Sequence, residues 1–580
     1  MNGSTRRMVV IILFIVAGAS AVIYRLVNLQ LVADEEILST HEDIFGGVEQ
    51  LQPVRGQILD RNGGILAATD YQYLISAAPN QIVNLRETAT MLSTILVTST
   101  HSLLPMLDPP PLESGRPVLY QVVEPRVTEQ VALQIEEAID QGSITGINVE
   151  PVPVRYYPET EVMSHLLGWV DHEMNGSSGI EGYYDDELSG EPVTVWQFPF
   201  LFGQWETPRP HHGASVVLSI DRSIQIVADN ILRDALVQYQ AESGSIIVMD
   251  PKTFGILAMA SYPAFDPNRF YDQDADLMVN PVVSERFEPG SIHKVLTMAA
   301  AVDSGKVNPG TTYEDLGMVE VGGIPIMNWD RAAHGTTDMV TVLAKSLNVG
   351  AATVASWMGR ETFYNYQRAF GIDDYTGIDV TAEVDGWLKL PGDSYWSEAE
   401  LGTNSFGQGL AVTPLQELVA ITAIANDGKI MQPYVVSEIR DGDRVHRREP
   451  TVLAQPISKQ TADTVTWMME EALQRETSAT VIPGYSLAGK TGTAQIASGG
   501  VYHATDVICT FVGFLPVDDP QIIALVKIDK PQISTDLRWG STTAAPTFVE
   551  LMKQLVVLLD IPPDDARSLN EFALAQDGNQ

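Results

Sequence analysis

One apolar run near the amino terminus constrains this chain more than any other feature. Met8 to Tyr24, MVVIILFIVAGASAVIY, carries no charge, and the next charge is Arg25. The run reaches the short end of the roughly 17–25 residues that cross a bilayer as a helix. Arg6 and Arg7 precede it, and Asp34, Glu35 and Glu36 follow it. The positive-inside bias then predicts a cytoplasmic tail over residues 1–7, a single transmembrane anchor over 8–27, and an extracytoplasmic bulk. A cleaved signal peptide is the competing reading, because Ala19-Ser20-Ala21 has the character of a cleavage site. The run exceeds the usual h-region of about 7–15 residues, which favours the uncleaved anchor. Both readings export the rest of the chain.

The exported part is large and acidic. At 580 residues the chain has room for about three domains of roughly 150–200 residues. Its net charge of −39 repels phosphates and argues against a nucleic-acid partner. Cys509 is the single cysteine, so no internal disulfide can form. Its setting, DVICTFVGF, predicts a buried small hydrophobe.

Patterning divides the exported part. Residues 28–210 read as a non-catalytic pedestal module of mixed strand and helix. In GQILDRNGGILAATD two apolar runs flank Asn62-Gly63, a strong hairpin signal. Thr194 to His212 has no period and marks the module's end. Residues 211–560 are more regular: SVVLSI predicts a strand, and Asp221 predicts a cap for the helix SIQIVADNILRDAL. GSIIVMD and FGILAMAS predict a hairpin around Pro251-Lys252-Thr253. A helix-rich middle runs from about 292 to 475, and strands return in SLAGKTGTAQ, DVICTFVGF and QIIALVKID. The last helix is AAPTFVELMKQLVVLL, and residues 561–580 read as a polar tail. Strands at both ends with helices between predict an α+β domain whose sheet is completed by its own termini.

The stretch GYSLAGKTGTAQ, Gly484 to Gln495, fits two motifs. From Gly484 it reads as a phosphate-cradling G-x-x-x-x-G-K-T loop. That loop needs a helix after it, whose first N–H groups hold the phosphates. TGTAQIASGGVYHATD has no helical period, so the nucleotide reading is set aside. From Lys490 the stretch reads as Lys-Thr-Gly-Thr on a strand beside an acyl-transfer cleft, which requires companions. Ser291 and Lys294 form the Ser-x-x-Lys of EPGSIHKVLTMAAAV, at the first turn of an apolar-periodic helix. That spacing puts the amine one turn on, within reach of the hydroxyl. A serine needs a base to become a nucleophile, and an amine serves when neutral. Burial and a nearby cation such as Lys490 both favour the neutral amine. The helix start also offers positive potential to an oxyanion. Ser346 and Asn348 supply a Ser-x-Asn between two apolar helical runs. Taken singly, Ser291 is readable as a cap, Ser346 as a turn residue and Lys490 as a solvated strand residue. Their order along the chain is the signal. No metal or cofactor is expected: His172-Glu173 lacks a second histidine at helical spacing, and Gly407-Gln408-Gly409 lacks the third glycine of a dinucleotide loop.

With these motifs in place, the chain resembles the class B, monofunctional penicillin-binding proteins along nearly its whole length. PVRGQILDRNGGILA, RYYPETEVMSHLLGWV, GIEGYYDDELSG, MDPKTFGILAMASYPAFDPN, FGQGLAVTPLQ and FVGFLP carry the resemblance further. Phe254 stands where the family usually has Gly, and His293 where an apolar residue is commoner. The resemblance implies a penicillin-recognising serine transpeptidase domain, an antiparallel sheet with helices on both sides and a helical subdomain, on an elongated mixed pedestal. It implies that Ser291 attacks a D-Ala-D-Ala carbonyl of a peptidoglycan stem peptide, with Lys294 taking the proton. Backbone N–H groups of Ser291 and Thr493 would form the oxyanion hole, and Ser346 would relay a proton to the leaving amine. Asn348 would hold the substrate amide; Lys490, Thr491, Gly492 and Thr493 would bind the donor end and its carboxylate. It further implies acylation by β-lactams, a polytopic glycosyltransferase partner, and a division rather than elongation role from RYYP…HLLG and GIEGYYD. A β-lactamase is the enzymatic alternative, without the Glu-x-x-Leu-Asn run that would position a hydrolytic water. A β-lactam sensor or silent scaffold is the non-enzymatic one.

Overall fold

Hairpin chemistry sets the first sheet. Gly63 adopts φ 86°, and the Asp60 carboxylate accepts from the N–H groups of Asn62 at 2.9 Å and Gly64 at 2.6 Å. The turn folds Ile58–Leu59 against Ile65–Ala77, as Asn62-Gly63 predicts. These observations come from a computed structural model, which describes residues 20, 48–112, 114–196, 209–476, 480–498 and 501–568. The predicted anchor over 8–27 lies, but for residue 20, outside the described residues, among which no helix is long and apolar enough to cross a membrane.

The chain forms two units. The smaller comprises residues 1–54 and 190–213, where Val48–Leu51 pairs antiparallel with Val193–Trp196. The stretch from Thr194, read from sequence as aperiodic, therefore begins as a strand.

The larger unit comprises residues 55–189 and 214–580. Its pedestal sheet runs in the order Arg444–Arg447, Val436–Asp441, Ser215–Leu218, Ile58–Leu59, Ile65–Ala77, Gln121–Val127, with Ile147–Tyr156 also on Ile65–Ala77. Helices Leu85–Ile95, Thr100–Leu107 and Glu129–Asp140 cover it through Leu92, Leu103 and Ile135. Ser215–Leu218, grouped from sequence with the following domain, pairs antiparallel with Val436–Asp441 of that domain and parallel with Ile58–Leu59. The quoted RGQ, RYYP and GIEG runs converge: Glu181, fully buried, accepts from Arg55 and Arg155, whose side chains are 2% and 1% exposed.

The second sheet contains β1 (Ser243–Met249), β2 (Ile256–Tyr262), β3 (Ala488–Ser498), β4 (Val501–Leu515) and β5 (Ile522–Asp529). Its order is β3-β4-β5-β1-β2, antiparallel throughout, so the domain's two ends do complete one sheet. Both faces are buried and the strand period of two sorts the side chains. Ile246, Val248, Phe511 and Val526 meet α1 (Arg222–Tyr239) and the terminal helix Ala544–Leu558. Ile247, Met249, Val512 and Leu525 face α2 (Lys294–Asp303), α3 (Asn348–Met358), α4 (Pro414–Ala425) and α5 (Lys459–Glu476). Asp221 caps α1 as expected, accepting from Ser223 N at 2.9 Å. Phe254 has φ 61° in the β1–β2 turn, a left-handed conformation that glycine adopts without strain. This accounts for the glycine usual there.

Two features add to the sequence reading. The helix-rich middle also holds two nested antiparallel strand pairs, Thr312–Asp315 with Gly335–Asp338 and, between them in the chain, the hairpin Met318–Val321 with Ile324–Met327. Four-residue strands with mostly exposed side chains leave little period-2 signal. Among the described residues of the tail, Asp564 accepts from Ser486 N at 2.6 Å, and its own N–H donates to Gly484 O at 2.9 Å. These bonds pin the chain just before β3.

Candidate active site

Three chain segments meet at one groove of about 390 Å³. Ser291 lies in a 3-10 turn, Gly290–His293, that leads into α2. Close packing requires the residues around it. A Cβ on Gly290 (φ 61°) would stand 3.1 Å from Thr493 O, and Gly290 N donates to Gly407 O at 3.0 Å. The FGQG run therefore backs the nucleophile's turn against β3.

Ser346 lies between helix Met339–Ala344 and α3, with φ 55°. Such backbone strain persists only where neighbours fix it. The neighbours here are Trp329, whose indole N–H donates to Lys345 O at 3.0 Å, and Asn328, whose Oδ1 accepts from Val349 N at 3.1 Å. Asn348 donates to Met327 O at 3.2 Å, which turns its Oδ1 toward Lys294.

Lys490 to Thr493 lie on β3, an edge strand with its free side toward the groove. Gly492 is required there: a Cβ would stand 2.2 Å from Thr510 Oγ1 and 3.0 Å from Ile292 Cγ2.

The polar atoms converge on two amines. Lys294 Nζ stands 3.0 Å from Ser291 Oγ, 2.7 Å from Asn348 Oδ1, 3.2 Å from Ser346 Oγ and 2.5 Å from Ser346 O. Lys490 Nζ stands 3.0 Å from Ser346 Oγ. Burial, and then the Lys490 charge, pull the Lys294 amine well below the ordinary lysine range. A neutral amine has two N–H donors and one lone pair. In that form the Lys294 N–H groups would satisfy Asn348 Oδ1 and the Ser346 carbonyl, leaving the lone pair for the Ser291 hydroxyl.

All eight residues singled out from sequence thus gather here: Ser291, Ser346, Asn348, Lys490, Thr491, Gly492 and Thr493 line the groove, and Lys294 lies beneath it, 1% exposed. Sequence reasoning missed the groove's rim. Trp329 and Trp539 face each other edge-to-face at 5.5 Å, and Gly540 N donates to Thr493 Oγ1 at 3.0 Å. Neither tryptophan belongs to a motif that the sequence analysis used. Phe406 and Gln408, in the quoted FGQG run, also line it.

A serine turned toward a buried amine whose pKa is pulled well down, beside an edge strand bearing Lys-Thr-Gly, defines the penicillin-recognising serine acyltransferases as a class. Comparison narrows this. Residues 244–553 match the family described as penicillin-binding protein transpeptidase domain, and residues 50–194 the penicillin-binding protein dimerisation domain. Stage V sporulation protein D of Bacillus subtilis is 30% identical over 572 residues, 96% of this chain and 86% of that protein. A protein of Pseudomonas aeruginosa named probable peptidoglycan D,D-transpeptidase PbpC is 30% identical, with 96% of each chain covered. The crystal structure of penicillin-binding protein 3 from Mycobacterium tuberculosis with aztreonam superposes with TM-score 0.69 at 26% identity, covering 89% of this chain and 98% of that one. Penicillin-binding protein 2X of Streptococcus thermophilus shares the fold, with TM-score 0.73 at 22% identity and coverage of 89% and 81%. The chain belongs to the class B penicillin-binding proteins.

Proposed function

We propose that this chain is a peptidoglycan D,D-transpeptidase that works through a Ser291 acyl-enzyme and is acylated by β-lactams. The observation that carries the reading is the 3.0 Å approach of Lys294 Nζ to Ser291 Oγ, with burial and the Lys490 charge favouring the neutral form of that amine. Ser291 Oγ attacks the donor carbonyl carbon as its proton passes to Lys294. The oxyanion is met by the N–H groups of Ser291 and Thr493. The C–N bond to the terminal D-Ala breaks, and the proton returns through Ser346 Oγ to the leaving nitrogen. An amine of a second stem peptide then attacks the ester, forming the crosslink and releasing Ser291. Lys490 keeps Ser346 Oγ oriented and attracts the donor carboxylate, with the hydroxyls of Thr491 and Thr493 beside it. Asn348 holds the donor amide.

The same reading includes the membrane. Residues 8–27 anchor the protein with residues 1–7 in the cytoplasm and the catalytic unit outside. A polytopic glycosyltransferase supplies the glycan strands, and RYYP…HLLG with GIEGYYD supports a division rather than an elongation role. Fluorescent penicillin tests the core: the solubilised protein forms a stable adduct and S291A does not. Equal labelling of both removes Ser291 as nucleophile. Rapid turnover of the adduct identifies a β-lactamase, and a stable adduct without crosslinking of stem peptides identifies a sensor. A fluorescent fusion spread along the sidewall contradicts the division role.

A further inference from the structure

His293 departs from the family pattern, and the acyl-transfer steps do not use it. Its side chain points away from the groove into the helical core, and it is 0% exposed. Nδ1 stands 3.2 Å from Glu417 Oε2 and 3.3 Å from Oε1; Nε2 stands 2.8 Å from Gln367 Oε1. Glu417 and Gln367 are themselves 0% exposed. A carboxylate without a partner in such a place is strongly disfavoured, so Glu417 requires the imidazole. Glu417 occupies the first turn of α4, whose positive end favours a carboxylate. Gln367 belongs to the helix Arg360–Ala369, and its Nε2 has no hydrogen-bond partner.

The turn that carries the nucleophile therefore has three anchors. Gly290 is held to Gly407, and Ile292 touches the space beside Gly492. His293 adds a directional bond to two helices behind the site. It lies between the nucleophile and its base in sequence, and a small rotation of the turn alters the Nζ–Oγ distance directly.

We propose that His293, paired with Glu417 and Gln367, is a positioning residue that fixes Ser291 against Lys294. The proposal rests on the acyl-enzyme reading. It concerns the rate of acylation rather than the binding of the acylating agent, because none of the three side chains lines the groove.

The test is stopped-flow acylation by benzylpenicillin, which separates the non-covalent constant Ks from the acylation rate k2, with melting temperature measured alongside. In H293F, k2 falls at least tenfold while Ks stays within twofold. E417L behaves alike, because the imidazole is then left without its acceptor. E417Q, which still accepts from the ring, keeps k2 within threefold of wild type. H293F/E417L, which removes both polar partners together, recovers at least tenfold over either single variant. A folded H293F with wild-type k2 overturns the proposal, and so does a double variant no faster than the singles. Should H293F not fold, E417Q and the double variant decide: a tenfold slower E417Q overturns the proposal. A purely structural role lowers the melting temperature without splitting k2 from Ks. Failure of the acyl-enzyme reading looks different, since wild type would then take no label or S291A would take as much.

Discussion

Gly492→Ala isolates the geometry on which the account depends. Its Cβ would stand 2.2 Å from Thr510 Oγ1, 3.0 Å from Ile292 Cγ2 and 3.3 Å from Pro289 O. Ordinary carbon–oxygen contact is about 3.2–3.4 Å, so roughly 1 Å must be recovered. Moving β3 away from Thr510 drives the new methyl into Ile292, the residue after the nucleophile. The strain is about 1–3 kcal/mol, as for one methyl forced into a packed site. Its kinetic consequence is larger, because about 1 Å of misplacement between reacting groups costs on the order of 10²-fold in rate. We expect k2 for benzylpenicillin to fall about 100-fold in G492A, with stability down by about 1–3 kcal/mol in urea. Among the described residues Thr510 Oγ1 has no hydrogen-bond partner, so Thr510→Ala removes the tighter clash without stranding a donor. G492A/T510A therefore recovers part of the rate. A wild-type k2 in G492A, or no recovery in the double variant, would refute the packing argument.

Four other outcomes follow from the same structure. Lys490 is the second cause, after burial, of the lowered Lys294 amine pKa. The base works deprotonated, so acylation fails below its pKa, and K490A moves that acid limb of the k2/Ks profile to higher pH; a limb that stays in place contradicts the coupling. Burial raises the Cys509 thiol to about 11, so 5,5′-dithiobis(2-nitrobenzoate) at pH 8 leaves it unmodified until the protein is denatured. Glu181→Gln leaves the buried Arg155 guanidinium without its anion and Arg55 with Asp185 alone, and costs about 3–5 kcal/mol in a urea titration; a change under about 1 kcal/mol rules out a central role for the cluster. Asp221→Ala removes the cap of α1 and costs about 1 kcal/mol, read the same way.

The legible parts of the chain were those with local causes. Asn62-Gly63 needed its turn, Asp221 its cap, and β1, β4 and β5 were long apolar runs. The Ser-x-x-Lys, Ser-x-Asn and Lys-Thr-Gly groups were legible because acyl transfer demands a hydroxyl, a neutral amine and a second cation, and their order along the chain is distinctive. What escaped depended on long-range pairing. Ser215–Leu218 reads as a strand, but nothing local says that Ile58–Leu59 is its neighbour. Trp329 and Trp539 meet only because the 318–327 hairpin and the segment before the last helix reach the same rim. The role of residues 561–568 was hidden by polar composition, since Asp564 acts through single bonds to Ser486 and Gly484. Glu417 sat unmarked in an apolar helix, and its partner His293 registered only as a departure from a family pattern.

The central claim is covalent, and mass spectrometry reads it directly. Trypsin cuts after Arg286 and Lys294, releasing Phe287–Lys294, in which Ser291 is the sole hydroxyl side chain. After brief exposure to benzylpenicillin, that peptide should gain the mass of one intact penicillin, bound as an ester and absent from S291A. An adduct on any other peptide, or none in folded protein, contradicts the account.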